Sequence, residues 1–250
     1  MKKAIDKGWV TINGNKAKTG DWLLGGETIA LTMPEAKTKP VLQLSLDVLF
    51  EDDFLAVINK PAGIEVSGNG YRTVESALQF NLKPSSQKDA VLPQAIHRLD
   101  FPTSGVLLIG KTLATITALN KLFEHREIEK QYHAICVGEM QNSGAINLPI
   151  DGKKASSKFT VVSRLASQKY DGLNLVKLTL ETGRRHQLRK HLSSIGNPIL
   201  GDKQYGVEGK TMTKTGLFLH ASFLRFTHPV TNEEILVESS LPKKFGKLFP

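Results

Sequence analysis

The chain has 250 residues, 40% of them hydrophobic and 23% charged, which suits a globular protein with one sizeable core and at most a small appendage. No run approaches the roughly 18 consecutive apolar residues that a membrane-spanning helix needs, and the polar start Met-Lys-Lys-Ala-Ile-Asp is not expected to act as a secretory signal. Thirty-three Lys and Arg stand against 24 Asp and Glu, a net charge of +9 with a pI near 9.5, so a polyanionic partner such as nucleic acid is favoured, with a merely basic enzyme as the alternative. The one cysteine, Cys136, excludes an intrachain disulfide and a four-cysteine zinc site. Its strand-like surroundings point to a buried thiol in a reducing cytoplasm.

Taken in chain order, Trp9–Ile12 and the residues after Asn13-Gly14 predict a hairpin, because Asn-Gly readily takes the positive φ angles of a tight turn. A further short strand is expected at Thr28–Leu31, and Pro34–Pro40 begins a polar, proline-bounded linker placed at 35–45. The chain is therefore divided into a small module (1–34), this linker, and a main domain (46–250). In the main domain, Phe54–Ile58 predicts a buried strand that stops at the turn cluster Asn59–Gly63. Val74–Leu82 predicts a helix capped by Thr73, Ser104–Gly110 a strand, and Thr112–Phe123 a helix burying Ile116, Leu119 and Phe123. Strands follow at Gln131–Val137 and Leu173–Thr182, then a helix burying Leu188, Leu192 and Ile195 and stopped by Gly196. Strands and helices mix without regular alternation, so the fold class is α+β.

Two stretches could carry chemistry. In His97-Arg98-Leu99-Asp100-Phe101-Pro102-Thr103-Ser104-Gly105 an imidazole, a guanidinium and a carboxylate share a loop shaped by Pro102 and Gly105. A surface loop with a local Arg-Asp pair is the plainer reading. In Gly183-Arg184-Arg185-His186-Gln187-Leu188-Arg189-Lys190-His191 a helical pattern starts directly after a strand, and Arg185 and Arg189, four apart, are expected on one helical face. Such a start suits phosphate contact or pairing with a buried carboxylate, against the alternative of a solvated basic face. His186 and His191 are five apart with no acid between them, so no metal is expected. Neither a phosphate-binding glycine loop nor a dinucleotide fingerprint is present, so no cofactor is expected. Nor does the G-x-S-x-G elbow of serine hydrolases appear.

Together these stretches resemble the RluA-type pseudouridine synthases. The likeness runs through Asn59-Lys60-Pro61-Ala62-Gly63-Ile64, HRLDFPTSGVLLIGKT (97–112), Glu129-Lys130-Gln131-Tyr132-His133-Ala134, TGRRHQLRKHLSSIGNPILGDKQYG (182–206) and the run from Leu219-His220-Ala221 to Phe226-Thr227-His228-Pro229. The family more often has a histidine after the valine in Glu65-Val66-Ser67-Gly68, and many members have threonine or serine at the place of Arg185. The first thirty residues resemble the C-terminal half of an S4-type RNA-binding module without its N-terminal helices. The resemblance implies a mixed, mainly antiparallel sheet flanked by helices and loops around a central RNA cleft. It also implies isomerisation of specific uridines in structured RNA, ribosomal RNA favoured over transfer RNA, by a cytoplasmic monomer without cofactor. Asp100 would be the catalytic carboxylate, Arg189 its ion-pair partner and Tyr132 the residue that stacks on the base. Arg98, Lys60, His97, Arg185 and His186 would contact RNA. The competing reading is a non-catalytic RNA-binding or ribosome-assembly protein on the same fold, against which the intact Asp100, Tyr132 and Arg189 argue. An unrelated hydrolase pairing Asp100 with His97 is the other alternative.

Overall fold

The computed structural model describes residues 2–32, 40–210 and 215–250. The chain divides into two compact units, Met1–Pro40 and Val41–Pro250.

The first unit opens with a short helix, α1 (Lys2–Asp6), which the sequence reading did not expect, followed by strands β1 (Val10–Ile12), β2 (Asn15–Lys16) and β3 (Ile29–Leu31). β1 and β2 form the expected hairpin, with Thr11 opposite Lys16 and Ile12 opposite Asn15. Asn13 (φ 47°) and Gly14 (φ 82°) both sit in the left-handed region, as a two-residue turn that follows the strand twist requires. β3 pairs on the other edge of β1, giving the order β2-β1-β3. The linker expected at 35–45 is described only from residue 40 onward. Its residues 35–39 lie outside the described residues, while in 41–45 Leu42 and Leu44 pack against the core of the second unit. Leu42 also donates its N–H to the Ser76 carbonyl. The alternation Leu42-Gln43-Leu44-Ser45-Leu46 explains why: every second residue can face one apolar surface.

The second unit comprises β4 (Asp47–Glu51), β5 (Leu55–Lys60), α2 (Val74–Asn81), β6 (Ala90–Ala95), β7 (Ser104–Thr112), α3 (Leu113–His125), β8 (Glu129–Val137), β9 (Ser143–Ile146), β10 (Ser157–Leu165), β11 (Leu173–Leu180), α4 (Gln187–Ser194), β12 (Leu219–Thr227), β13 (Glu234–Glu238) and α5 (Lys243–Gly246). The side chains of Thr73 and Thr112 cap α2 and α3 by accepting from Ser76 N–H and Thr115 N–H. The expected helix from Thr112 thus begins one residue later. The helix expected from Arg185 begins only at Gln187, after His186, and ends at Ser194, so Ile195 falls beyond its last turn and is 39% exposed.

All ten strands join one mixed sheet in the order β4-β5-β7-β12-β8-β11-β10-β9, with β6 added to β7 and β13 to β12. Every pairing is antiparallel except β7 with β12, where Ser104 faces His220 and Gly105 faces Ala221. β7 is buried along its whole length, and one hydrophobic cluster runs from Leu46 to Phe245. The structure is thus α+β with a mainly antiparallel sheet, as the sequence implies.

The short parallel contact fixes where the 97–104 loop enters the sheet. Gly105 has φ 119°, and a Cβ there would lie 2.0 Å from the Ala221 carbonyl oxygen. Gly105→Ala is therefore expected to cost at least about 3 kcal/mol in folding stability, measurable by urea denaturation, through backbone strain and an overlap that neither strand can relieve. A variant within 0.5 kcal/mol of wild type, on the order of an ordinary surface change, would show that the two strands can part.

Candidate active site

The site forms where three segments meet: the 97–104 loop leading into β7, the middle of β8, and the loop entering α4. Asp100 begins a tight turn in which its carbonyl accepts from Thr103 N–H. Lys60, at the end of β5, holds this turn from below. It is fully buried, and its Nζ donates to the carbonyls of Pro61 (2.9 Å) and Thr103 (2.8 Å) and more distantly to Phe101 (3.5 Å). Burial pulls its pKa down to about 8, opposed by Asp100. Lys60 is therefore a support of the loop and not the RNA contact expected from sequence, because an ammonium spent on buried carbonyls cannot reach solvent. Ser104 anchors the other end of the turn through its Oγ, 2.9 Å from Nδ1 of buried His220, whose Nε2 lies 3.2 Å from Ser239 Oγ.

His97 turns inward as well. Its Nε2 accepts the Leu108 N–H at 3.1 Å, and its ring lies 5.0 Å from that of Phe123. Burial pushes its pKa down to about 3, helped by the charge of Lys130, so the ring is neutral at physiological pH. It lines the cleft as a neutral ring and offers no cation to phosphate. Arg98 and Arg185, by contrast, are exposed beside the cleft, and their side chains have no hydrogen-bond or ion-pair partner among the described residues. Arg185 does not share a helical face with Arg189, because it precedes the helix.

The loop entering α4 is pinned by buried Gln187. Its Oε1 accepts from the Thr182 hydroxyl and from Arg184 N–H, and its Nε2 donates to Ser156 O and Ser157 Oγ. Two residues on, Arg189 is buried and makes a two-pronged contact with Asp202, with both N···O distances 2.8 Å. Its remaining nitrogen, Nη1, faces Asp100 Oδ2 at 3.6 Å. Burial works against the guanidinium charge, but the Asp202 hydrogen bonds and the two carboxylates outweigh it and raise the Arg189 pKa. Burial likewise opposes ionisation of Asp202, and the bonds from Arg189, Gln204 N–H and Tyr205 N–H outweigh it, so its pKa is lowered. Arg189 thus faces Asp100 as expected but is held by a second carboxylate that the sequence reading did not name. Tyr205 was also missed. Its ring lies 5.0 Å from the guanidinium of Arg189, and its hydroxyl is 2.9 Å from Nδ1 of His186. The signal was present in Ile199-Leu200-Gly201-Asp202-Lys203-Gln204-Tyr205, where the first aspartate after a basic helix is the nearest available counter-charge.

Tyr132 completes the site from β8. Burial, with Asp100 adding to it, pushes its phenol above the ordinary range, so it is a neutral hydroxyl at physiological pH. Asp100, Tyr132, His186, Arg189, Leu180 and Leu219 line one cleft of about 330 Å³, and Phe123, Lys130 and Arg184 continue from it into a groove of about 900 Å³. The cleft thus offers one carboxylate, a buried guanidinium facing it, a neutral phenol and apolar walls, with arginines at the rim. This arrangement suits a flat polar ring drawn out of a polyanion.

Comparison with known proteins identifies the family to which this sheet and cleft belong. The family model for RNA pseudouridylate synthases matches residues 54–194, more than half of the chain. Ribosomal large subunit pseudouridine synthase D of Xanthomonas campestris is 33% identical over 276 residues, covering 99% of this chain and 82% of that protein. The dual-specificity RNA pseudouridine synthase RluA of Haemophilus influenzae is 37% identical over 212 residues, covering 78% of this chain and 92% of that one. Among solved structures, human RNA pseudouridylate synthase domain containing 4 superposes with a TM-score of 0.65 at 27% identity, covering 80% of this chain and 90% of that one. The chain belongs to the RNA pseudouridylate synthases, of the RluA type, and is an isomerase that converts uridine to pseudouridine in RNA.

Two outcomes follow from the geometry. Asp202→Asn leaves the buried guanidinium of Arg189 half-neutralised and should lower stability by about 3 kcal/mol in chemical denaturation. His220 is buried, and burial lowers its pKa to about 4 despite its bond to Ser239. The unfolded chain therefore takes up a proton below about pH 6.5 that the fold refuses, and stability falls as pH drops through that window. Unfolding free energies from urea denaturation at pH 7.5 and 5 should differ by roughly 2 kcal/mol more in wild type than in His220→Asn.

Proposed function

We propose that Asp100 is the catalytic carboxylate, with Arg189 facing it and Tyr132 stacking on the target base, and that the substrate is large-subunit ribosomal RNA. The observation that carries the catalytic assignment is the position of Asp100, in the cleft between a buried guanidinium and a buried phenol. The reaction exchanges the N1–C1′ bond of uridine for a C5–C1′ bond, with a proton leaving C5 and one arriving at N1. No redox change occurs. A carboxylate suits the step because it can capture or stabilise positive character at the sugar. Arg189 keeps a positive charge beside it as the pocket dries on substrate entry. The neutral Tyr132 ring offers the flipped uracil a face to stack on and a hydroxyl to exchange protons with. Arg98, free at the rim, would fill the vacated stack or hold flanking phosphates.

The choice of ribosomal RNA is supported by the coverage of the relatives. Proteins named ribosomal large subunit pseudouridine synthase D match 97–99% of this chain, the first unit included, whereas the dual-specificity relative matches 78%. The S4-like reading of the first unit, with its lysines at 2, 3, 7, 16 and 18, points the same way. A monomer is proposed as the simplest state, and a reducing cytoplasm because the one cysteine of the sequence, Cys136, allows no intrachain disulfide and is buried.

Carbodiimide mapping of pseudouridines in total RNA tests the whole reading, using cells that lack the protein and are complemented with wild type or Asp100→Asn. One or a few large-subunit ribosomal sites should vanish in the deletion and return only with wild type. Restoration by Asp100→Asn would remove Asp100 from the mechanism. Sites confined to transfer RNA would overturn the choice of substrate.

A further inference from the structure

His186 is expected from sequence to be an RNA contact, yet its placement suits another task. It stands at the N-cap of α4 with φ 55° and ψ 27°, a left-handed conformation that costs a non-glycine residue on the order of 1 kcal/mol. Its side chain makes no capping bond to the helix. Instead Nδ1 lies 2.9 Å from the Tyr205 hydroxyl, the two rings meet edge to face at 5.7 Å, and Nε2 points at Asp100 Oδ1 from 3.9 Å. Only 14% of the side chain is exposed. Asp100 itself makes no side-chain hydrogen bond among the described residues, so its two oxygens are guided only by Arg189 on the Oδ2 side and His186 on the Oδ1 side.

The tautomer follows from these neighbours. Burial pulls the His186 pKa below the ordinary histidine value, and the charges of Arg189, Arg185 and Lys190 act in the same direction, with Asp100 opposing them. The ring is therefore neutral near pH 7 and carries one N–H. If Nδ1 held that proton, the Nε2 lone pair would face a carboxylate oxygen. With the Tyr205 hydroxyl donating to Nδ1, the proton sits on Nε2 and faces Asp100 as a donor. Tyr205 is fixed in turn by its N–H to Asp202 Oδ1 and by its ring against Arg189.

We propose that His186 is a positioning residue of the isomerisation: its Nε2–H, set by Tyr205, holds Oδ1 of Asp100 so that Oδ2, beside Arg189, presents to the substrate. The proposal rests on Asp100 being the catalytic carboxylate. The gap of 3.9 Å closes to a hydrogen bond as RNA displaces water from the cleft, as catalytic hydrogen bonds commonly do on substrate binding. His186 contacts neither base nor phosphate and acts only through Asp100.

The experiment measures tritium release from a mixture of unmodified ribosomal and transfer RNA transcripts labelled at uridine C5, because joining C5 to C1′ expels that hydrogen. His186→Ala should lower kcat at least about thirtyfold while KM for RNA stays within about twofold, the pattern of a lost transition-state interaction. His186→Gln places an amide N–H near the position of Nε2 and should restore kcat to within about fivefold of wild type. Tyr205→Phe should slow the wild-type enzyme about fivefold and His186→Ala no further, since the hydroxyl works through the imidazole. A raised KM with unchanged kcat, a glutamine variant as slow as the alanine one despite an unchanged Tm, or multiplying effects of the two positions would each overturn the proposal. Asp100→Asn, run alongside, separates the two claims. If it is active, the underlying reading fails. If it is inactive while His186→Ala is as fast as wild type, this proposal alone fails.

Discussion

Everything in the cleft depends on a parallel contact two residues long. β12 lies between β7 and β8, so the half of the sheet that carries Asp100 meets the half that carries Tyr132 and leads through β11 to Arg189 only across this strand. Past the contact the two halves diverge, with β6 taking the free edge of β7 and β13 that of β12. Gly105 permits the approach, and the buried Ser104–His220–Ser239 chain stitches it with side-chain bonds. The sheet forks at this contact, and the 97–104 loop enters at the point of the fork.

Within the cleft, charge is arranged in layers. Asp202 neutralises Arg189, which frees one guanidinium nitrogen to face Asp100 without leaving an unpaired buried cation. Lys60 is given over to the backbone of the turn, and His97 and Tyr132 are neutral. Arg98 and Arg185, in contrast, stand exposed beside the cleft without a side-chain partner among the described residues.

Much of this was legible in the sequence where the signal is local. Asn13-Gly14 fixed a hairpin, Thr73 announced a helix cap, and alternation marked the strand at 173–180 because one face is buried. Asp100, Tyr132 and Arg189 were reached through a family resemblance, and the fold brings them to one cleft. What local pattern could not supply was partnership across the chain. Asp202 and Tyr205 matter because they pack against α4 from a following loop, and Lys60 looks like any basic residue after a strand until its burial under the 97–104 turn is known. Arg185 was placed on a helix because a four-residue spacing fits one, but the buried side chain of Gln187 anchors the preceding loop and delays the helix start.

The place of β12 in the order of synthesis has its own consequence. Asp100, Tyr132 and Arg189 all leave the ribosome before residues 219–227, the strand that brings the two halves of the sheet into register. Pairing that spans 115 residues or more in sequence cannot form until the late strand arrives, and chains assemble from the N-terminal side as they emerge. A polypeptide that has not yet reached residue 219 therefore lacks the strand that joins the half of the sheet carrying Asp100 to the half carrying Tyr132.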